Sequence, residues 1–169
     1  MDIVLVHPEI APNTGAIIRL CANVGARLHL IEPLGFDLDD RAYSRAGLDY
    51  HELTSVTVHP NLDDARRALP GRWWGFSAHG TVRYTDAPIA DGDALVFGAE
   101  RAGLTDAATA LIGADSLVTI PMRPDSRSLN LANAVAAVAY DVWRRASFVG
   151  YAENAGATVA EAPLEPPFT

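Results

Sequence analysis

The chain reads as an α/β protein, with a mainly parallel sheet and helices on both faces. Two observations predict this. Short apolar runs recur along the sequence, and segments whose apolar residues follow helical spacing alternate with them. A third observation agrees: the apolar runs end in Pro or Gly and open into polar loops, the punctuation of buried strands that stop at one edge of a sheet.

Taken in order, Asp2–His7 is predicted as a first strand that ends at Pro8. Pro12-Asn13-Thr14-Gly15 then opens a helix running to about Val24, with Gly25 placed to end it in a left-handed conformation. On that helix Ile17, Leu20, Cys21 and Val24 share a core face, while Gly15, Arg19 and Asn23 lie opposite. Arg19 is thus either a solvated charge or a side chain aimed into a cleft. Leu28–Ile31 and Leu53–Val58 read as the second and third strands, with a polar segment, Asp37–Tyr50, between them. Asn61–Leu69 is a short helix capped by Asn61, and Trp73–Ser77 a fourth strand. Arg83–Asp93 reads as loop, Ala94–Phe97 as a fifth strand, and Thr105 to Ile112 as a helix. Leu117–Ile120 forms a last strand, closed by Pro121. Ser128 or Asn130 is placed to cap a final helix in which Leu131, Val135, Val138 and Val142 recur at helical spacing. The alanines between them leave room for another backbone to approach, which suits a tight helix crossing or a subunit interface.

Residues 1–150 of the 169 are expected to form a single domain, and 151–169, rich in Ala, Pro and Glu, a flexible tail. No apolar run is long enough to span a bilayer, and Met1–Val6 begins as a strand without a basic leader, so a cytoplasmic protein without membrane association is expected. Cys21, the only cysteine, excludes an internal disulfide and any multi-cysteine zinc site. His7, His29, His51, His59 and His79 are scattered, and no two have the spacing of a helical metal site; no metal is expected.

In such a sheet ligands bind beyond the carboxyl ends of the strands. The loops there are Pro8–Asn13, Ser77–Gly80, Gly98–Leu104 and Pro121–Ser128. Gly98-Ala99-Glu100-Arg101-Ala102-Gly103 is neither a dinucleotide fingerprint nor a phosphate loop: four residues separate the glycines, and no Gly-Lys-Ser or Gly-Lys-Thr occurs. There is no Gly-x-Ser-x-Gly elbow either, which leaves a metal-free ligand site made of loops.

Three segments carry a specific resemblance: Pro8-Glu9-Ile10-Ala11-Pro12-Asn13-Thr14-Gly15-Ala16-Ile17-Ile18-Arg19, Phe97-Gly98-Ala99-Glu100-Arg101-Ala102-Gly103-Leu104, and Ile120-Pro121-Met122-Arg123-Pro124-Asp125-Ser126-Arg127-Ser128-Leu129-Asn130-Leu131. In order and separation they resemble the three motifs of the SPOUT class of methyltransferases, and Arg45–His51 resembles the members that methylate the wobble ribose of tRNA. The resemblance implies S-adenosylmethionine as methyl donor, a C-terminal trefoil knot, and a homodimer whose sites draw on both chains. It also implies that Phe76, Gly98, Ile120, Met122 and Ser128 line the donor pocket, and that Asn13, Arg19 and Asn130 face the reacting ribose. Ala99 and Ala102 depart from the pattern, since close relatives often carry Pro and Arg there. Another position of methylation, or a non-catalytic RNA- or nucleotide-binding module, is the alternative.

The formal net charge is −8, and the residues from Ala146 onward hold three acidic groups and no basic one, which leaves −5 on the rest. All 13 basic residues are arginine, whose planar forked guanidinium suits phosphate. So acidic a body can hold tRNA only through gathered arginines, and Arg41, Arg45 and Arg127 are the candidates.

Overall fold

Alternation within the strands sets the two faces of the sheet. The computed structural model describes residues 1–37, 56–90 and 92–151; Arg41, Arg45, the expected strand residues 53–55 and the tail from 152 lie outside them. In β1 (Asp2–Val6), Ile3 and Leu5 join the core on one side of the sheet and Val4 and Val6 the core on the other. The same division runs through β2 (Arg27–Ile31), β4 (Trp73–Phe76) and β6 (Ala94–Phe97). Leu28, Leu30, Trp74, Phe76, Leu95 and Phe97 face the first side; Ile31, Trp73, Ala94 and Val96 face the second. With β3 (Val56–His59), β5 (Val82–Arg83) and β7 (Leu117–Thr119) the order across the sheet is β3-β2-β1-β6-β4-β7-β5. Every pairing between these seven strands is parallel.

Helices cover both faces, as a parallel sheet buried on both sides requires. α1 (Ala11–Val24) and α4 (Leu131–Arg145) lie on the first side and pack against each other. α2 (Leu62–Ala68) and α3 (Asp106–Ile112) lie on the second, where Ala65 and Ala108 are fully buried. Local sequence sets the helix ends. Asn61 Oδ1 accepts from Asp64 N–H at 2.8 Å and Thr105 Oγ1 from Ala108 N–H at 3.1 Å, while Gly25, at φ 67°, ends α1. Two expectations are corrected. Gly15 does not face outward with Arg19 and Asn23: it is buried, because α1 is covered by the sheet on one side and by α4 on another. The segment Arg83–Asp93 is not all loop, since Val82–Arg83 pairs with β7 and Tyr84–Asp86 forms a 3₁₀ turn.

β7 lies between β4 and β5, although only residues 77–81 join those two strands. That short segment crosses β7 at Val118. Ser77 N–H donates to the Val118 carbonyl at 2.9 Å, and a Cβ at Gly80 would stand 2.4 Å from the Val118 carbonyl carbon. Only glycine lets the two backbones approach so closely. No helix of the described residues is long and apolar enough to cross a membrane.

A largely buried polar cluster runs along the second side of the sheet, from Asp2 and Arg27 at the amino ends of β1 and β2 to His59 at the carboxyl end of β3. Arg27 donates to both Asp2 carboxylate oxygens, at 2.7 and 2.8 Å, and His29 Nε2 lies 3.2 Å from Asp2 Oδ1. His29 Nδ1 lies 3.0 Å from His59 Nε2. A neutral His29 with its proton on Nε2 donates to Asp2 and leaves Nδ1 to accept from His59. Burial pushes both histidines below the usual 6.5, against the pull of Asp2 on His29 and of Asp64 on His59. Burial works to raise the Asp2 carboxyl, but the hydrogen bonds and charge of Arg27 and His29 outweigh it and hold it below 3.8. The unfolded chain therefore takes up protons at the histidines before the folded chain does, and stability falls as pH drops below about 6.5. The contribution of Asp2 is present above 3.8 and lost as pH falls through its lower folded value. We predict that the thermal midpoint declines between about pH 7 and pH 5, and that the pair of substitutions His29→Gln and His59→Gln flattens this slope. Calorimetry across that range checks it; an equally steep decline in the double variant would place the titration elsewhere.

Candidate active site

The carboxyl ends of β1, β6, β4 and β7, neighbours in that order across the sheet, open into a cavity of about 700 Å³. This is the size of a small-molecule site, at the edge where an open parallel sheet places one. Each strand sends its following loop to the wall. Ile10 and Asn13 come after β1, Gly98–Leu104 after β6, Ser77–His79 after β4, and Ile120, Met122 and Ser128–Leu131 after β7.

One part of the wall is apolar. Phe76 stacks on Phe97 with ring centroids 4.4 Å apart, and Ile10, Met122 and Leu129 stay 41%, 41% and 46% exposed at the cavity. Exposed apolar side chains gathered around a concave site mark a surface that a ligand covers. The glycine loop is braced by its own backbone: Ala99 and Gly103 exchange hydrogen bonds of 3.1 and 2.8 Å. A Cβ on Gly98 would stand 2.0 Å from the Gly103 carbonyl carbon. Gly98 therefore has no room for a side chain because the loop folds back on it.

The polar part of the wall is a directional chain of hydrogen bonds. Asn130 caps α4, its Oδ1 accepting from Ala132 N–H at 2.9 Å and Asn133 N–H at 3.3 Å, which settles that Asn130 and not Ser128 is the cap. Its amide orientation is thereby fixed, so Nδ2 is the atom that donates to Asn13 Oδ1 at 2.9 Å. Asn13 must then turn its own Nδ2 to Glu100, at 2.9 Å. Glu100 also accepts the backbone N–H groups of Glu9 at 2.7 Å and Ile10 at 3.2 Å, and Glu9 in turn accepts Arg101 N–H at 3.3 Å. Asn13 is buried, while Asn130 is exposed to the cavity.

Seven of the residues expected at the site thus share one cavity: Asn13, Phe76, Gly98, Ile120, Met122, Ser128 and Asn130. Arg19 does not line it; it stands exposed on α1. Arg127 precedes Ser128 at the rim, and Arg41 and Arg45 lie outside the described residues. Sequence reasoning passed over Glu100, which joins the loops after β1 and β6. Its signal was a carboxylate two residues beyond a glycine at a strand end, legible only once Asn13 is known to face it. Among the described residues no group of three or more His, Cys, Asp or Glu could hold a metal ion.

Residues 1–140 match the SpoU rRNA methylase family. The chain belongs to this family. More particularly, it is 51% identical over 152 residues to the tRNA (cytidine(34)-2′-O)-methyltransferase of Burkholderia pseudomallei, an alignment spanning 88% of this chain and 97% of the relative. The Escherichia coli protein of the same name is 49% identical over 151 residues, 89% of this chain and 96% of its own. A structure solved to explain 2-OH methylation of C/U34 on tRNA superposes with a TM-score of 0.78 at 38% identity, over 87% of this chain and 96% of that one. The SpoU methyltransferase AviRb of Streptomyces viridochromogenes, crystallised with its cofactor AdoMet, gives a TM-score of 0.74 at 29% identity, over 87% of this chain and 58% of its own.

Gly98→Val is predicted to unseat the 98–104 loop, lowering affinity for S-adenosylmethionine at least tenfold and costing about 1–3 kcal/mol of stability through the forced overlap. Isothermal titration and chemical denaturation read the two effects; unchanged donor affinity would separate this loop from the donor site.

Proposed function

We propose that this chain transfers the methyl group of S-adenosylmethionine to the ribose 2′-hydroxyl of the wobble nucleotide of tRNA, cytidine or uridine. The observation that carries this reading is the convergence of four sequence-distant loops on one cavity, apolar on one wall and bounded on the other by the Asn130–Asn13–Glu100 chain. The relatives of matching length, named for this reaction, support it.

Phe76, Gly98, Ile120, Met122 and Ser128 would hold the donor, through apolar surface and the backbone groups that end the strands. The volume and the apolar exposure of the cavity fit a nucleoside-sized group. Bound there, S-adenosylmethionine supplies a methyl carbon that is already electrophilic. The protein's remaining task is to hold the 2′-hydroxyl in line with that carbon and let its proton leave. Asn13 and Asn130 suit the first part. Each Nδ2 donates one of its two protons within the chain, and the other is left for a ribose oxygen. Both are oriented before the substrate arrives, which is where positioning gains its rate. A guanidinium offers only donors and no acceptor, so Arg19 acts as an orienting donor and the proton leaves through water.

The proposal extends to assembly. Arg19 lies away from the cavity of its own chain, which supports a homodimer whose sites draw on both subunits. α4 turns Asn133, Ala137 and Tyr140 outward, a stripe with little bulk at its centre on which a second copy can pack. The crossing of β7 by residues 77–81 supports a C-terminal trefoil knot. Arg41, Arg45 and Arg127 serve tRNA binding, residues 1–150 carry the activity without 151–169, and the protein works in the cytoplasm.

The test is methyl transfer from labelled S-adenosylmethionine to tRNA, mapped by mass spectrometry of nuclease fragments. A 2′-O-methyl group at position 34 is expected; methylation elsewhere, or none with both ligands bound, would replace this reading. Asn13→Ala should lower kcat about 100-fold, as loss of a positioning contact does, while leaving donor affinity within a few-fold. Arg19→Lys should retain measurable turnover with an unshifted pH–rate profile, and light scattering should report a dimer.

A further inference from the structure

The arginines of this chain divide into two groups. Eleven of them lie among the described residues. Seven are held by the protein itself. Arg27, Arg67, Arg83 and Arg144 pair with Asp2, Asp64, Asp86 and Asp141, and Arg145 also pairs with Asp141. Arg66 donates to the carbonyls of Leu69 and Gly71, and Arg72 donates to Ser116 while lying 4.0 Å over the Trp74 ring. Arg19 too has a partner. The guanidinium groups of Arg101, Arg123 and Arg127 make no hydrogen bond or ion pair with any described residue, and all three residues are exposed. They belong to only two loops, both at the cavity. Arg101 lines the cavity itself, Arg123 follows the lining residue Met122, and Arg127 precedes the lining residue Ser128.

The acidic composition makes this distribution informative. With 21 carboxylates against 13 arginines, a guanidinium without a partner is the exception among the described residues, yet three stand at one mouth. The loop bearing Arg101 is fixed from below by the Glu9 carboxylate on its N–H and by the Ala99–Gly103 bridge, so the guanidinium is carried on a rigid base. The turn from Arg123 to Ser126, closed by a 3.3 Å hydrogen bond, holds Arg123 in the loop after β7. Forked cations carried on two loops that border one cavity suit an anion that lies across its opening, and a phosphodiester strand has that shape.

We infer that Arg101 and Arg123 are RNA-binding residues that, with Arg127, clamp the backbone phosphates flanking the reacting nucleotide across the mouth of the cavity. The inference rests on the reading that the substrate is RNA. It adds a contact surface supplied by the same loops that form the donor site. The rim then selects for a strand whose target nucleotide can drop into the cavity while its neighbours stay outside, as in an unpaired loop. The donor's own carboxylate is the other anion within reach, and the experiment separates the two.

Arg101→Ala, Arg123→Ala and the double variant are compared with wild type and with Arg67→Ala, which removes an equal charge from the far face of the sheet. tRNA binding is titrated across a range of salt, and S-adenosylmethionine binding by calorimetry. Each lost phosphate contact should weaken tRNA binding about fourfold near 0.15 M salt and make the slope of log affinity against log salt shallower by about 0.7, so that the double variant loses more than tenfold. Donor affinity and melting temperature should match wild type, and Arg67→Ala should bind tRNA as wild type does. A double variant with the affinity and slope of Arg67→Ala overturns the inference, and so does one that loses donor affinity while keeping its hold on tRNA. Wild-type protein that binds no tRNA removes the reading beneath it, and the inference with that reading.

Discussion

The hydrogen bond from Asn130 to Asn13 is the contact on which the rest of the site depends. Both side chains are amides, and either alone could turn over without steric penalty. They are locked because the far ends of the chain admit only one sense: two orphan N–H groups at the start of α4 demand an oxygen from Asn130, and the Glu100 carboxylate demands a donor from Asn13. A helix start and a carboxylate thus impose direction on everything between them. Glu100 also gathers the backbone of Glu9 and Ile10, so the loops after β1, β6 and β7 are joined through three side chains. Hydrogen bonds to a charged acceptor are the stronger kind, worth about 1.5–3 kcal/mol each, and Glu100 receives three.

The sheet puts these loops within reach of one another. A parallel sheet sends all its strand ends of one kind to one edge, and here the two edges are put to different use. At the amino edge Asp2 and Arg27 pair with each other and are linked through His29 to His59, so these groups satisfy one another. The carboxyl edge stays open, with apolar side chains exposed and amide protons unspent. Ion pairing follows the same division, since arginines remote from the open edge are held by carboxylates and carbonyls. Cys21, in the core between α1 and the sheet, takes no part: burial pushes its thiol up to about 12, which leaves it a packing group.

The local half of this architecture was legible in the sequence. Apolar runs at Asp2–Val6, Ala94–Phe97 and Leu117–Thr119, the helical spacing of Leu131, Val135, Val138 and Val142, and the capping side chain Asn61 are short-range signals that the fold keeps. What escaped depends on partners far away in the chain. β5 has two residues, too few for a periodicity, and exists because β7 passes beside it. Gly15 looked exposed on a helical wheel because the wheel knows nothing of α4. Gly98 was expected as a lining residue of the donor pocket, but what excludes a side chain there is the backbone of Gly103, five residues on, which no local signal announces. Glu100 was visible as a carboxylate and invisible as a junction, since its three donors lie about 90 residues away. The motifs carried the resemblance at the sequence level, and the fold places seven of the expected site residues around one cavity.

The crossing of residues 77–81 over β7 bears on the order in which the chain can assemble. Among the described residues β5 has no neighbour in the sheet except β7, and β7 lies more than thirty residues further along. During synthesis the segment from Ser77 to Arg83 therefore emerges with nothing to pair with. It stays unpaired until Leu117–Thr119 has left the ribosome and slid in beside β4. Contacts of such sequence separation form slowly, because the loop must close before any of its contacts reward it. The last strand to arrive completes both the sheet and the walls around the cavity. A nascent chain stopped short of Thr119 would lack the wall that runs from Thr119 to Ala134, however well β1, β2, β3, β4 and β6 had formed.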